Sequence, residues 1–129
     1  MEHRIIVDVD KGTVAAEPNP LQDVRLWDSV TWVFHGLASG HVPLVVFREI
    51  HPLPPATGSP VPCGPLGPFE RVSIAEGRFF GTGDCGAGGR FIYDVFTFDQ
   101  GLMSAERLEW RNPGVLGNFG GLDRSGPPP

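Results

Sequence analysis

Apolar and polar residues alternate along this chain in runs too short for helices. Arg4-Ile5-Ile6-Val7-Asp8-Val9 is rich in β-branched residues and stops at Asp10-Lys11-Gly12, a turn signal, before a second extended run over Thr13-Val14-Ala15-Ala16. These two runs are predicted to pair as a hairpin. Glu17-Pro18-Asn19-Pro20 breaks the pattern, and Val24-Arg25-Leu26 then leads through Trp27-Asp28 into Ser29-Val30-Thr31-Trp32-Val33-Phe34. Val30, Trp32 and Phe34 fall on one face of that stretch, the period-two signature of a strand with one buried side.

After a loop over Gly36-Leu37-Ala38-Ser39-Gly40, His41-Val42-Pro43-Leu44-Val45-Val46-Phe47 forms another apolar extended segment. Pro43 has no amide proton to give to a neighbour, so this strand is expected at a sheet edge or beginning beyond the proline. Between Pro52 and Pro68 the sequence is dominated by Pro, Gly and small residues, which predicts a long irregular excursion of the kind that often carries binding function. Phe69 to Ile74 alternates again, and Phe79-Phe80 precede a glycine cluster from Gly81 to Gly89. Arg90-Phe91-Ile92-Tyr93-Asp94-Val95-Phe96 reads as a strong late strand, and Ala105 to Trp110 as the strand that closes the sheet. Leu102 to Glu106 forms at most one helical turn. The resulting organisation is one β-domain over residues 1–111 and a Gly/Pro-rich C-terminal tail over 112–129. About seven or eight short strands, turn signals throughout and no amphipathic helix predict an all-β sandwich or barrel.

Composition narrows the functional classes. The 129 residues suit one domain able to bury a core. The 18 glycines and 14 prolines punctuate apolar runs instead of filling one tract. With a net charge of −5 and basic residues scattered along the chain, nothing concentrates the positive charge that nucleic acid requires. No stretch has signal-peptide form or the length to span a bilayer, so the expected setting is cytoplasmic and away from membranes, although a mature exported domain carrying an added Met would read the same way. Cys63 and Cys85 match no zinc-binding spacing; they read as a disulfide if the protein is exported and as inert thiols otherwise.

Two segments bear a family resemblance. Trp27-Asp28-Ser29-Val30-Thr31-Trp32, followed by a loop, His41 and an apolar strand to Phe47, resembles the cupredoxin strand that leads to the first copper-binding histidine. Gly89-Arg90-Phe91-Ile92-Tyr93 resembles the family's Gly-x-aromatic-x-aromatic strand, which runs into the loop carrying the other ligands. The resemblance covers residues 3 to 111 and implies a Greek-key β-sandwich of the cupredoxin type, whereas pattern alone leaves immunoglobulin-like and jelly-roll topologies open. It also implies that the family's cysteine position falls on Val95, its second histidine on Phe98 and its axial methionine on Met103. A blue-copper site needs a thiolate and two imidazoles. Valine and phenylalanine ligate nothing, so of the family's ligand set only His41 and Met103 remain.

The expected function is therefore a non-catalytic domain that binds another protein, without cofactor, self-association being compatible with this. The resemblance places the apolar docking face at the barrel end, here made by Leu37, Phe96, Phe98 and Leu102. The competing reading is a Cu(I)-handling protein using a reduced set of His35, His41 and Met103, since thioether and imidazole suit that ion. An enzyme is not expected: there is no nucleophile elbow, no phosphate-binding glycine loop opening a helix and no His-Glu-x-x-His pattern. Because apolar side chains stand at the ligand positions, thermal melts with and without a strong chelator should coincide. A fall of many degrees on chelation would reveal a structural metal.

Overall fold

A computed structural model describes residues 1–51, 64–83, 88–114 and 117–124. The alternating N-terminal runs form the predicted hairpin. β1 (Glu2–Asp10) pairs antiparallel with β2 (Thr13–Glu17), turning at Lys11 and Gly12, both of which take positive φ. β3 (Leu21–Val24) follows the prolines, and β4 (Ser29–His35) then lies parallel to β1, with Trp32 opposite Ile5. β5 (His41–His51) carries Pro43 within it and is an outer strand of its sheet. After a single 3-10 turn at Gly64–Leu66 come β6 (Arg71–Ala75), β7 (Arg78–Thr82) and β8 (Gly89–Asp99). β9 (Ser104–Arg107), β10 (Glu109–Trp110) and β11 (Gly120–Arg124) complete the described chain.

These strands make two mixed sheets. The first has the order β10-β2-β1-β4-β7-β6 and the second β3-β11-β8-β5, with β9 continuing the β11 side of β8. The inner faces of both sheets contribute to one buried cluster, so the fold is an all-β sandwich. Val30, Trp32 and Phe34 all face it, as the alternation predicts. Trp32 is the hub: its ring meets Phe79 at 5.8 Å from its own sheet, Phe69 at 6.1 Å, and Phe47 and Tyr93 at 6.1 and 5.5 Å from the opposite sheet. All four contacts are edge-to-face, the geometry favoured by aromatic quadrupoles.

The expectation of a tail from residue 112 is corrected. Gly120–Arg124 is an interior strand, antiparallel to β8 and parallel to β3, with Leu122 fully buried between Phe91 and Leu21. Its glycines are what the packing needs. The Tyr93 ring lies directly on Gly120, where any Cβ would overlap it. Side-chain bonds then hold the segment. Asn112 bridges both backbone groups of Ala16, Asn19 receives Gly121 N–H at 3.0 Å, and Arg90 grips Asp123 through two hydrogen bonds. Glycine and asparagine resemble loop composition while serving here as strand and clamp. The strand count rises to eleven among the described residues, and Leu102 to Glu106 is a hairpin turn entering β9 rather than a helical turn.

A buried carboxylate fixes the entry to β4. Asp28 accepts hydrogen bonds from His3 Nε2 at 2.8 Å, from the Arg25 amide at 2.9 Å and from the amino group of Met1 at 3.0 Å. Burial alone would raise its pKa, but these bonds to the charged form outweigh it and hold the group at about 2. A depressed carboxylate stabilises the fold above its unfolded pKa of 3.8 and loses that contribution as pH falls through about 2. Denaturation midpoints should therefore decline between these two values, and Asp28→Asn should flatten that decline; an unchanged pH profile in the variant would place the titration elsewhere. Trp32→Ala is expected to cost about 3–5 kcal/mol, the range for a large aromatic removed from a packed core. Chemical denaturation measures it, and an unshifted midpoint would contradict the hub.

Candidate functional site on the outer face of the β5–β8–β9 sheet

The longest strand pair in the molecule sets this surface. β5 and β8 run antiparallel, with His41 opposite Asp99, Pro43 opposite Thr97, Val45 opposite Val95 and Phe47 opposite Tyr93. Those pairs share the inner face, where Val45, Phe47, Tyr93 and Val95 join the core. Because side chains alternate, the intervening pairs point away from it. They are Val42 opposite Phe98, Leu44 opposite Phe96 and Val46 opposite Asp94. On β9, Ala105 and Arg107 extend the same rows beside Phe98 and Phe96.

The outward residues Val42, Leu44, Val46, Phe96 and Phe98 are half-buried and lie outside the core cluster. At the far end of this face Arg48 stacks 5.2 Å over the Phe119 ring and approaches Asp94 at 3.6 Å. Beyond them the Arg90–Asp123 pair continues the polar border, and the guanidinium's pKa is raised by its hydrogen bonds to Asp123 against the opposing effect of burial. The surface is thus an apolar strip bounded by Arg107 on one side and ion pairs on another.

The expected site residues do not form one face. Phe96 and Phe98 belong to this strip, on the flank of the sheet and not at its end. Leu37 packs partly against the core from the loop after β4, and so fills the end of the sandwich. Leu102 projects from the β8–β9 turn, 77 % exposed. Val42, Leu44 and Val46 were the missed members. Their signal was present in the unbroken apolar run Val42 to Phe47, which implies two apolar faces on one strand.

The residues at the resemblance's copper positions are also separated. Val95 is fully buried opposite Val45, four positions from the level of His41 and hence about 13 Å along the strand. Phe98 points to the other face. In place of a ligand-bearing loop, β8 continues to Asp99 and turns back into β9, its Asp99 side chain accepting the Gly101 and Leu102 amides. Met103 is 74 % exposed in that turn with φ of 52°. His41 Nε2 lies 3.5 Å from Asp99, and His35 is in the other sheet opposite Asp8. No group of three His, Cys, Asp or Glu side chains able to hold a metal occurs among the described residues. Cys63 and Cys85 lie outside the described residues. Likewise, no described helix is long and apolar enough to cross a membrane.

Comparison with protein-family models, with curated proteins and with solved structures finds no match for this chain. The surface itself is therefore the guide to function. Its geometry gives a direct test of the copper alignment. In the double variant Val95→Cys, Phe98→His, the thiol faces the core and the imidazole faces outward. Addition of Cu(II) should produce no intense visible absorption, and a blue band would show that the β8–β9 hairpin refolds into a ligand loop.

Proposed function

We propose that this chain is a non-catalytic protein-interaction domain with a cupredoxin-like Greek-key fold and no type 1 copper site. Two features support the fold reading. The chain leaves the first sheet for β3 and returns to it at β4, which lies parallel to β1, so consecutive strands are shared between the two layers as in a sandwich of that type. The two segments that carry the resemblance face each other across the sandwich, Trp32 of β4 against Tyr93 of β8.

The observation that carries the functional reading is the apolar outer strip of β5 and β8. Phe96, Phe98 and Leu44 are adjacent on a surface that the core does not use. Two large aromatic side chains fixed on one central strand, β8, present apolar area with little conformational entropy to lose, and aromatic anchors of this kind concentrate binding energy. The partner is a protein with a complementary apolar surface, and the bounding arginines at 48 and 107 favour acidic groups at its rim.

The test uses the wild-type chain and Phe98→Asp as paired baits in extracts of the source cells. Phe98 lies outside the core, so the variant should keep its melting temperature within a few degrees. The partner should be retained by the wild type and lost from the variant. Equal recovery of every bound protein by both baits would refute the strip as the docking site. A Cu(I) titration run beside it, with His41→Ala and Met103→Ala as controls, addresses the alternative. Stoichiometric binding lost in both variants would favour the copper-handling reading instead.

A further inference from the structure

The opposite outer face, on the β1–β2 side of the sandwich, has a different chemistry. One cross-strand row runs Glu17, Ile6, Val33, Arg78 over β2, β1, β4 and β7. It is acidic at one end, apolar in the middle and basic at the other. Glu17 and Arg78 are exposed, Ile6 is 38 % exposed, and Val33 is half-buried outside the core cluster. The next row places Asp8 beside His35, both exposed, and the row on the other side runs Arg4, Thr31, Phe80. Neither Glu17 nor Arg78 has an ion-pair partner among the described residues.

We infer that this face binds a second copy of the chain, about a two-fold axis that runs along the groove between β1 and β4. The charge order selects both the partner and the axis. A two-fold parallel to the strands carries each residue across the midline, so Ile6 of one copy meets Val33 of the other. Glu17 then stands over Arg78 of the second copy, and Asp8 over its His35. Arg4 stands over the position of Thr31, whose side chain is buried, so no charge is set against it. Glu17 and Arg78 lie about 7 Å from the axis, given the spacing of neighbouring strands, so the inter-sheet rotation of packed sheets moves them little. A two-fold perpendicular to the strands would instead set the acidic side over itself and the basic side over itself, which repulsion disfavours. The contact is isologous and closes at two copies. Asp8 also keeps Arg111 at 3.0 Å within its own copy, which limits the excess of charge at that end. The face is separate from the apolar strip of β5 and β8, so a dimer leaves that strip open to its own partner.

Sedimentation equilibrium over a concentration series up to about 1 mM tests the assignment, since an interface with a small apolar centre is weak. The wild type should show a monomer–dimer equilibrium that weakens as salt rises from about 0.05 to about 0.5 M. Glu17→Arg and Arg78→Glu should each weaken dimerisation about tenfold or more by setting like charges face to face, and the double variant should restore it. Ile6→Lys should abolish it, whereas Phe98→Asp on the other face should leave it unchanged. All these side chains lie outside the core, and thermal melts on the same samples establish that the variants are folded. A wild type that stays monomeric throughout the series would overturn the inference. So would dimers indifferent to both charge reversals, single reversals that the double variant does not rescue, or dimers lost in Phe98→Asp.

Discussion

The contact of Trp32 with Tyr93 and Phe47 is the constraint on which the rest of the structure depends, because it joins the two sheets across the core. It fixes which face of β4, β5 and β8 turns inward, and alternation then settles the outward residues on each of those strands. The arrangement has a cost. Trp32 Nε1, Tyr93 Oη and Trp110 Nε1 are buried without a hydrogen-bond partner among the described residues, an unsatisfied group typically costing about 1–3 kcal/mol. Burial pushes the Tyr93 phenol well above its ordinary pKa, the nearby Trp32 side chain offsetting this only in part. The aromatic packing stabilises the fold strongly enough to bear those unpaired groups, and the Tyr93 ring in turn requires glycine at position 120 beneath it.

The same constraint accounts for what happened to the resemblance's metal positions. With Tyr93 committed to the hub, Val95 falls two residues later on the same inward face and becomes core. β8 then continues in register with β5 as far as Asp99, so the segment corresponding to a ligand loop is used up as strand and tight hairpin. What remains outward, Phe96 and Phe98, gains Val42 and Leu44 as neighbours from β5. The separation of the positions that the resemblance assigns to ligands and the presence of an apolar strip on the flank are two results of one register. The two outer faces of the sandwich consequently differ in kind, one an apolar strip rimmed by arginines and the other a band ordered from acid to base.

The clamp on the C-terminal segment shows a second level of control. β11 has little apolar content beyond Leu122, and it is held between β3 and β8 by Asn19 and the Arg90–Asp123 pair, while Asn112 is tied to Ala16 of β2 and to Asn19. These polar groups satisfy backbone at the seam where the chain passes from one sheet to the other. Asp28 does comparable work at the entry to β4, where a buried carboxylate gathers two side-chain or terminal donors and a turn amide.

The hydrophobic pattern by itself determined the all-β class, the β1–β2 hairpin, the inward face of β4 and the outer position of the strand containing Pro43, because side-chain period and proline's missing donor are local properties. Phe96 and Phe98 were surface candidates only through the resemblance, which set them at the end of the barrel. Only the tertiary structure decided that Leu37 fills the end of the sandwich, that Leu102 stands alone on a hairpin tip, and that Val95 and Phe98 point in opposite directions. Residues 112–114 and 117–124 show the limit most clearly: glycine and asparagine carry no strand propensity, and their order comes from neighbours about a hundred positions away in sequence. Register between distant strands is a property of the packed pair, so a single strand's pattern does not contain it.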